Sequence, residues 1–181
     1  MIKIPNNVKA TVFCSAAAIS AAFIPSEEGM RTEAYLDIVG IPTICMGDTE
    51  GVKLGQTTTV DDCNVRLNKR TEKLIPMVEK TVRIQLAGAT IASLTAFCDN
   101  VGTKACMGSE SFKAMRIGHI REGCDKLLNW SRAGKNRYAL LGRRMRERAL
   151  CLVGDDIQNG RAVDWRQYET VPVWFAKGMK K

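Results

Sequence analysis

A chain of 181 residues, 45% hydrophobic and 25% charged, has the composition of a soluble globular protein of one domain, or one domain with a small lobe. Its formal charge of +8 favours anionic partners such as nucleic acid, membrane phosphate or cell-wall polymers. Lysines and arginines are scattered, however, and no base-reading motif, phosphate-cradling glycine run, repeat or low-complexity tract appears, so nucleic acid is not an expected partner.

Seven cysteines, at 14, 45, 63, 98, 106, 124 and 151, include no C-x-x-C, and His119 is the sole histidine. A zinc site of familiar spacing is therefore not expected, and neither is any cofactor. Disulfides in an oxidising compartment such as the periplasm are the better use, with reduced core thiols as the alternative. An odd count leaves one thiol over.

In chain order, residues 1–26 start with Lys3 and Lys9 and then carry no charge from residue 10 to residue 26. A basic start before an apolar run is the pattern of an export signal. Three readings compete: a cleaved signal peptide, a weak signal anchor that stays attached, and a buried helix. A membrane span wants about 20 strongly apolar residues, and this run is shorter and mostly Ala and Ser. Cleavage after Ala22 would leave five residues before Glu28 and remove the helix expected to hold it, which favours the uncleaved anchor.

Gly29 is the expected helix stop, which places Glu28 at a helix end beside a cleft. Two β-prone runs, Ala-Tyr-Leu-Asp and Ile-Pro-Thr-Ile-Cys, flank Gly40 and read as a hairpin. A turn centred on Gly40 would make Asp37 and Thr43 cross-strand neighbours. The run V-K-L-G-Q-T-T-T supplies a third strand, and Thr59 reads as the N-cap of a helix over 60–80 with Cys63, Leu67, Leu74 and Val78 on one stripe. Pro76 is expected to bend or end that helix.

An apolar helix follows from Ile84 to Asn100, capped at Gly102, and helices at about 109–117, 120–132 and 137–153 complete the pattern. Arg143, Arg144, Arg146 and Arg148 read with Glu147 as an exposed helix face. Trp130 and Tyr138 suit either sugar stacking or packing. His119 has no nucleophile near it in sequence and reads as structural or exposed.

Two carboxylates flanking a bond are what glycoside hydrolysis needs, one protonated to serve the leaving oxygen and one ionised to activate water or attack carbon. The order E-G-x-R, A-Y-x-D, G-x-x-T-I and G-x-T-E-G over residues 28–51 resembles the signature of phage lysozymes, the endolysins of glycoside hydrolase family 24. F-C-D-N-V-G (97–102) and R-R-M-R-E-R-A-L-C-L (143–152) are similar to later blocks of that family, and the likeness covers roughly residues 23 to 155.

The resemblance implies a mainly helical α+β fold, lysozyme-like, with a small three-stranded β lobe, a larger helical lobe and a cleft between them. It divides the chain into a weak anchor helix (1–26), a catalytic domain (27–159) and a basic tail (160–181) that packs on the domain or meets anionic surfaces. The implied substrate is peptidoglycan, cut at the β-1,4 bond between N-acetylmuramic acid and N-acetylglucosamine. Glu28 would be the general acid, Asp37 the ionised partner and Thr43 the holder of a water, with inversion at carbon.

The implied location is the host inner membrane, tethered transiently through residues 10–26, and then the periplasm, as a monomer of the signal-arrest-release type. By analogy and loop economy the cysteines pair as 45 with 63, 98 with 106 and 124 with 151, leaving Cys14. Cys45 stands where the family has glycine and Asp48 where it has histidine, and Asp48 adds a charge near the carboxylates. Glu27 would be the exposed neighbour of Glu28. A non-catalytic cell-wall-binding protein of the same fold is the alternative.

Overall fold

The computed structural model describes residues 15–37 and 40–163. Cys14, the segment before it, and the tail from residue 164 lie outside the described residues. Ser15 opens helix α1 (Ala16–Glu28) by accepting the Ala18 amide at 2.7 Å, and Gly29, at φ 68°, closes it. Ile19, Phe23 and Ile24 are buried, and the helix packs on α2 (Val60–Val82) and α3 (Gly88–Val101). The described part of the apolar run, residues 15–26, is thus a core element here. No helix among the described residues is long and apolar enough to cross a membrane.

Strands β1 (Arg31–Leu36) and β2 (Pro42–Cys45) pair antiparallel, with Tyr35 opposite Thr43 and Leu36 opposite Pro42. The expected third strand does not form. Gly51 and Gly55, at φ 69° and 83°, turn the chain, so only Thr57 bridges β1, at Glu33. The sheet has two strands, and residues 52–59 add just the Ala34–Gln56 and Thr58–Thr32 backbone bonds, both 2.9 Å.

Thr59 caps α2, its Oγ1 accepting the Asp62 amide at 3.1 Å. The buried stripe is Cys63, Leu67, Thr71, Leu74, Val78 and Val82, and Pro76 sits on the exposed side without ending the helix. Helix α3 starts at Gly88, later than its apolar sequence suggests, and is buried continuously from Gly88 to Cys98. Short helices α4 (Thr103–Met107), α5 (Glu110–Arg116) and α6 (Ile120–Lys126) and a 3₁₀ turn (Leu127–Trp130) lead to α7 (Leu141–Gln158).

Small residues let α3 and α7 approach closely. A methyl group at Gly154 would collide with Thr90, Thr90 Oγ1 donates to the Cys151 carbonyl at 3.1 Å, and Ser93 Oγ donates to the Glu147 carbonyl at 2.6 Å. Disulfides Cys45–Cys63, Cys98–Cys106 and Cys124–Cys151 tie β2 to α2, α3 to α4 and α6 to α7. Cys45 has φ 57°, a backbone that favours glycine, and the disulfide holds a larger residue there.

Candidate active site

Glu28 is the last residue of α1, and its carboxylate Oε1 accepts a charged hydrogen bond from Arg143 Nη1 of α7. A methyl group built on Gly47 would lie 3.5 Å from Glu28 Cδ and Oε2, so the backbone just beyond β2 abuts the carboxyl. Glu28 therefore sits where α1, α7 and the hairpin meet.

Asp37 and Thr43 are both fastened to Ile41. Asp37 Oδ1 accepts the Ile41 amide at 2.8 Å, and Thr43 Oγ1 donates to the Ile41 carbonyl at 3.0 Å. Their pairing differs from the one expected: the Asp37 amide donates to the Ile41 carbonyl at 3.0 Å, and Thr43 stands opposite Tyr35. Thr43 pairs two residues away from Asp37 along β1, so Asp37 and Thr43 are diagonal neighbours that share a face by strand alternation.

Glu27 is not the exposed residue its neighbour position suggests. Arg146 of α7 clasps it with two 2.7 Å hydrogen bonds, and its side chain is 1% exposed. The arginine-rich face is likewise turned inward: Arg143, Arg144 and Glu147 are buried. The reason is tertiary, because α1 supplies two carboxylates and α3 supplies the Asn100 side chain and the Ala96 carbonyl as acceptors for these guanidiniums. Only Arg146 and Arg148 keep partial exposure, Arg148 with Asp125 at 2.6 Å.

Asp48 is neutralised within the site. Arg66 meets its Oδ2 at 2.7 Å, Arg70 lies 4.0 Å from Oδ1, and the Glu50 amide donates to it at 3.1 Å. Arg70 also donates to the Met46 carbonyl at 2.8 Å and to Asp99 Oδ2 at 3.0 Å. Burial pushes the Asp99 carboxyl up, Arg70 pulls it down, and the Glu28 charge adds to the rise. Two alternating runs of charge thus meet here, Arg66–Asp48–Arg70–Asp99 and Glu28–Arg143–Glu147, with the like charges of Asp99 and Glu28 where they adjoin.

Sequence reasoning missed Asp99, Arg143 and Glu147 as site neighbours. The available signal was that all three lie inside the blocks 97–102 and 143–152. Trp130 packs edge-on against Phe97, centroids 5.5 Å apart, and borders a groove with Val101, Gly102 and Lys104, whereas Tyr138 is exposed. His119 is exposed and faces Glu122 at 3.3 Å. No cluster of His, Cys, Asp and Glu suited to a metal ion occurs among the described residues.

The phage lysozyme family model matches residues 25–147, which takes in the helix end, the hairpin and the arginines of α7. The chain belongs to the phage lysozyme family. It is similar to the SAR-endolysin of Pseudomonas phage phiKMV, 35% identical over 76% of this chain and 89% of that one. The endolysin of Salmonella phage P22 is 34% identical over 70% of this chain and 90% of its own length. A crystal structure of P22 lysozyme superposes with a TM-score of 0.66 at 30% identity, covering 84% of this chain and 99% of that one. This phage lysozyme is accordingly a glycoside hydrolase, a muramidase-type endolysin that lyses peptidoglycan.

Proposed function

We propose that Glu28 donates a proton to the glycosidic oxygen between N-acetylmuramic acid and N-acetylglucosamine while Asp37 and Thr43 position the water that attacks from the opposite face. The observation that carries this reading is the meeting of Glu28 with the hairpin: its carboxyl is held between Arg143 and Gly47, and the same hairpin fastens Asp37 and Thr43 to one peptide unit. Arg143 occupies Oε1, which leaves Oε2 to carry the transferred proton. A single displacement of this kind inverts the anomeric carbon and leaves room for water between carboxyl groups roughly 6.5–9.5 Å apart.

Glu28→Gln is expected to lower reducing-sugar release from purified peptidoglycan by at least about 100-fold, the usual reach of general acid catalysis, while the melting temperature stays near that of the parent. Undiminished turnover by the folded variant would remove Glu28 from this role.

Membrane attachment belongs to the same proposal. Residues 10–26 serve first as a weak anchor in the host inner membrane, and after release in the periplasm residues 16–28 become α1. Two features support this: several relatives carry the name SAR-endolysin, and burial of Ile19, Phe23 and Ile24 gives a released segment an apolar site to occupy. The released enzyme acts as a monomer.

A further inference from the structure

The Arg143 guanidinium is held at three points by three different helices. Its Nη1 donates to Glu28 Oε1 on α1, its Nη2 to the Ala96 carbonyl on α3 at 3.3 Å, and its Nε to Glu147 Oε1 on α7 at 3.0 Å. A guanidinium is planar with donors in a fixed fork, so fixing Nε and Nη2 fixes the line along which Nη1 points.

Glu147 is well placed to be the fixed point. Its side chain has no exposure, its carbonyl accepts Ser93 Oγ from α3, and the same Oε1 also accepts Arg144 Nη2 at 3.0 Å. Arg144 is anchored in turn by Asn100 Oδ1 at 2.7 Å and lies over the Phe97 ring. Glu147 Oε2 has no hydrogen-bond partner among the described residues, so the carboxylate is not built for best stability.

We infer that Glu147 is a positioning residue for hydrolysis, aiming the Arg143 fork so that Glu28 presents Oε2 to the glycosidic oxygen. The inference rests on the reading of Glu28 as the acid. Glu147 itself touches neither substrate nor the transferred proton; it acts through Arg143. An error of about 1 Å in a reacting group is enough for a hundredfold loss of rate, so a carboxylate one helical turn away can govern kcat without contributing to substrate binding.

The test replaces the buried pair without leaving an unbalanced charge. Replacing Glu147 and Arg144 together, with assays above about pH 7 where Glu147 is ionised, removes one charge of each sign and keeps Arg143 matched by Glu28, and apolar replacement of a buried pair is commonly tolerated by the fold. Glu147→Met with Arg144→Met is expected to keep a melting temperature within a few degrees of the parent, to lower kcat on purified peptidoglycan by about tenfold or more, and to leave KM within about twofold.

Glu147→Gln on the Arg144→Met background returns an oxygen to face Arg143 Nε and is expected to recover most of that kcat. Arg143→Lys keeps the charge beside Glu28 but has no Nε to be held, and is expected to lose kcat by a similar factor. It serves as the second probe if the double variant does not fold. Parental kcat in either the Met pair or the Lys variant overturns the inference, as does a loss carried by KM, or a Gln variant no better than the Met one. Failure of the underlying reading is separate: it would appear as an active Glu28→Gln, whereas an inactive Glu28→Gln beside fully active Met and Lys variants condemns only the role of Glu147.

Discussion

At the scale of single residues, the site is decided by which charges find partners. Asp48 brings a buried carboxylate, and Arg66 at 2.7 Å answers it. Glu147 is the residue whose charge is hardest to keep: burial pushes it from 4.5 up to about 7, Arg144 and Arg143 pull it down, and Glu27 adds to the rise. Glu28 lies across Arg143 and completes the set of charges around it. Between pH 4.5 and about 7 the folded protein therefore binds a proton at Glu147 that the unfolded chain does not. Its contribution to stability is full below 4.5 and is lost as the pH rises to about 7. At about 1.4 kcal/mol per tenfold in proton affinity, the loss is about 3 kcal/mol. Urea unfolding of the parent and of Glu147→Gln across this range measures it: the parent should lose stability relative to the variant as the pH rises, and a constant difference would contradict the account. Glu28 was legible in the sequence because Gly29 marks the helix end. Arg143 and Glu147 were not, because R-R-M-R-E-R is an ordinary solvated face until α1 brings two carboxylates against it.

At the scale of elements, periodicity found what local patterns determine. The stripe of α2 and its Thr59 cap follow from residue spacing, and α3 follows from its unbroken apolar run. The third strand failed where two glycines with positive φ turned the chain, and the hairpin pairing failed by two residues, since a turn leaves little trace in strand propensity. The pairing of cysteines came from family likeness together with loop economy. Helix α1 has two expected lives, anchor and core, and its burial makes a specific demand. Cleavage after Ala22 would cut it between the exposed Ala22 and the buried Phe23, leaving Glu28 on a remnant too short to pack. Intact-mass measurement of periplasmic protein is expected to find residues 1–22 still attached. Their loss from the active form would sink the uncleaved-anchor reading.

At the scale of the whole molecule, the fold brings together groups far apart in sequence: Glu28 with Arg143, Glu27 with Arg146, and Asp48 with Arg66, while three disulfides fasten the elements that carry them. Several arginines counted toward the formal charge of +8 are thus committed to internal carboxylates, and basicity alone says little about the partner. The proposed mechanism rests on the geometry of one acid and one hairpin that would hold the attacking water. That geometry is tested on the unaltered, oxidised protein by following the anomer first released from peptidoglycan fragments with proton NMR, before mutarotation mixes the forms. Direct displacement by a water held at Asp37 and Thr43 predicts that the α anomer appears first from the β-1,4 bond. Initial release of the β anomer would require a covalent intermediate and would contradict the assignment of Asp37 and Thr43 to the attacking water.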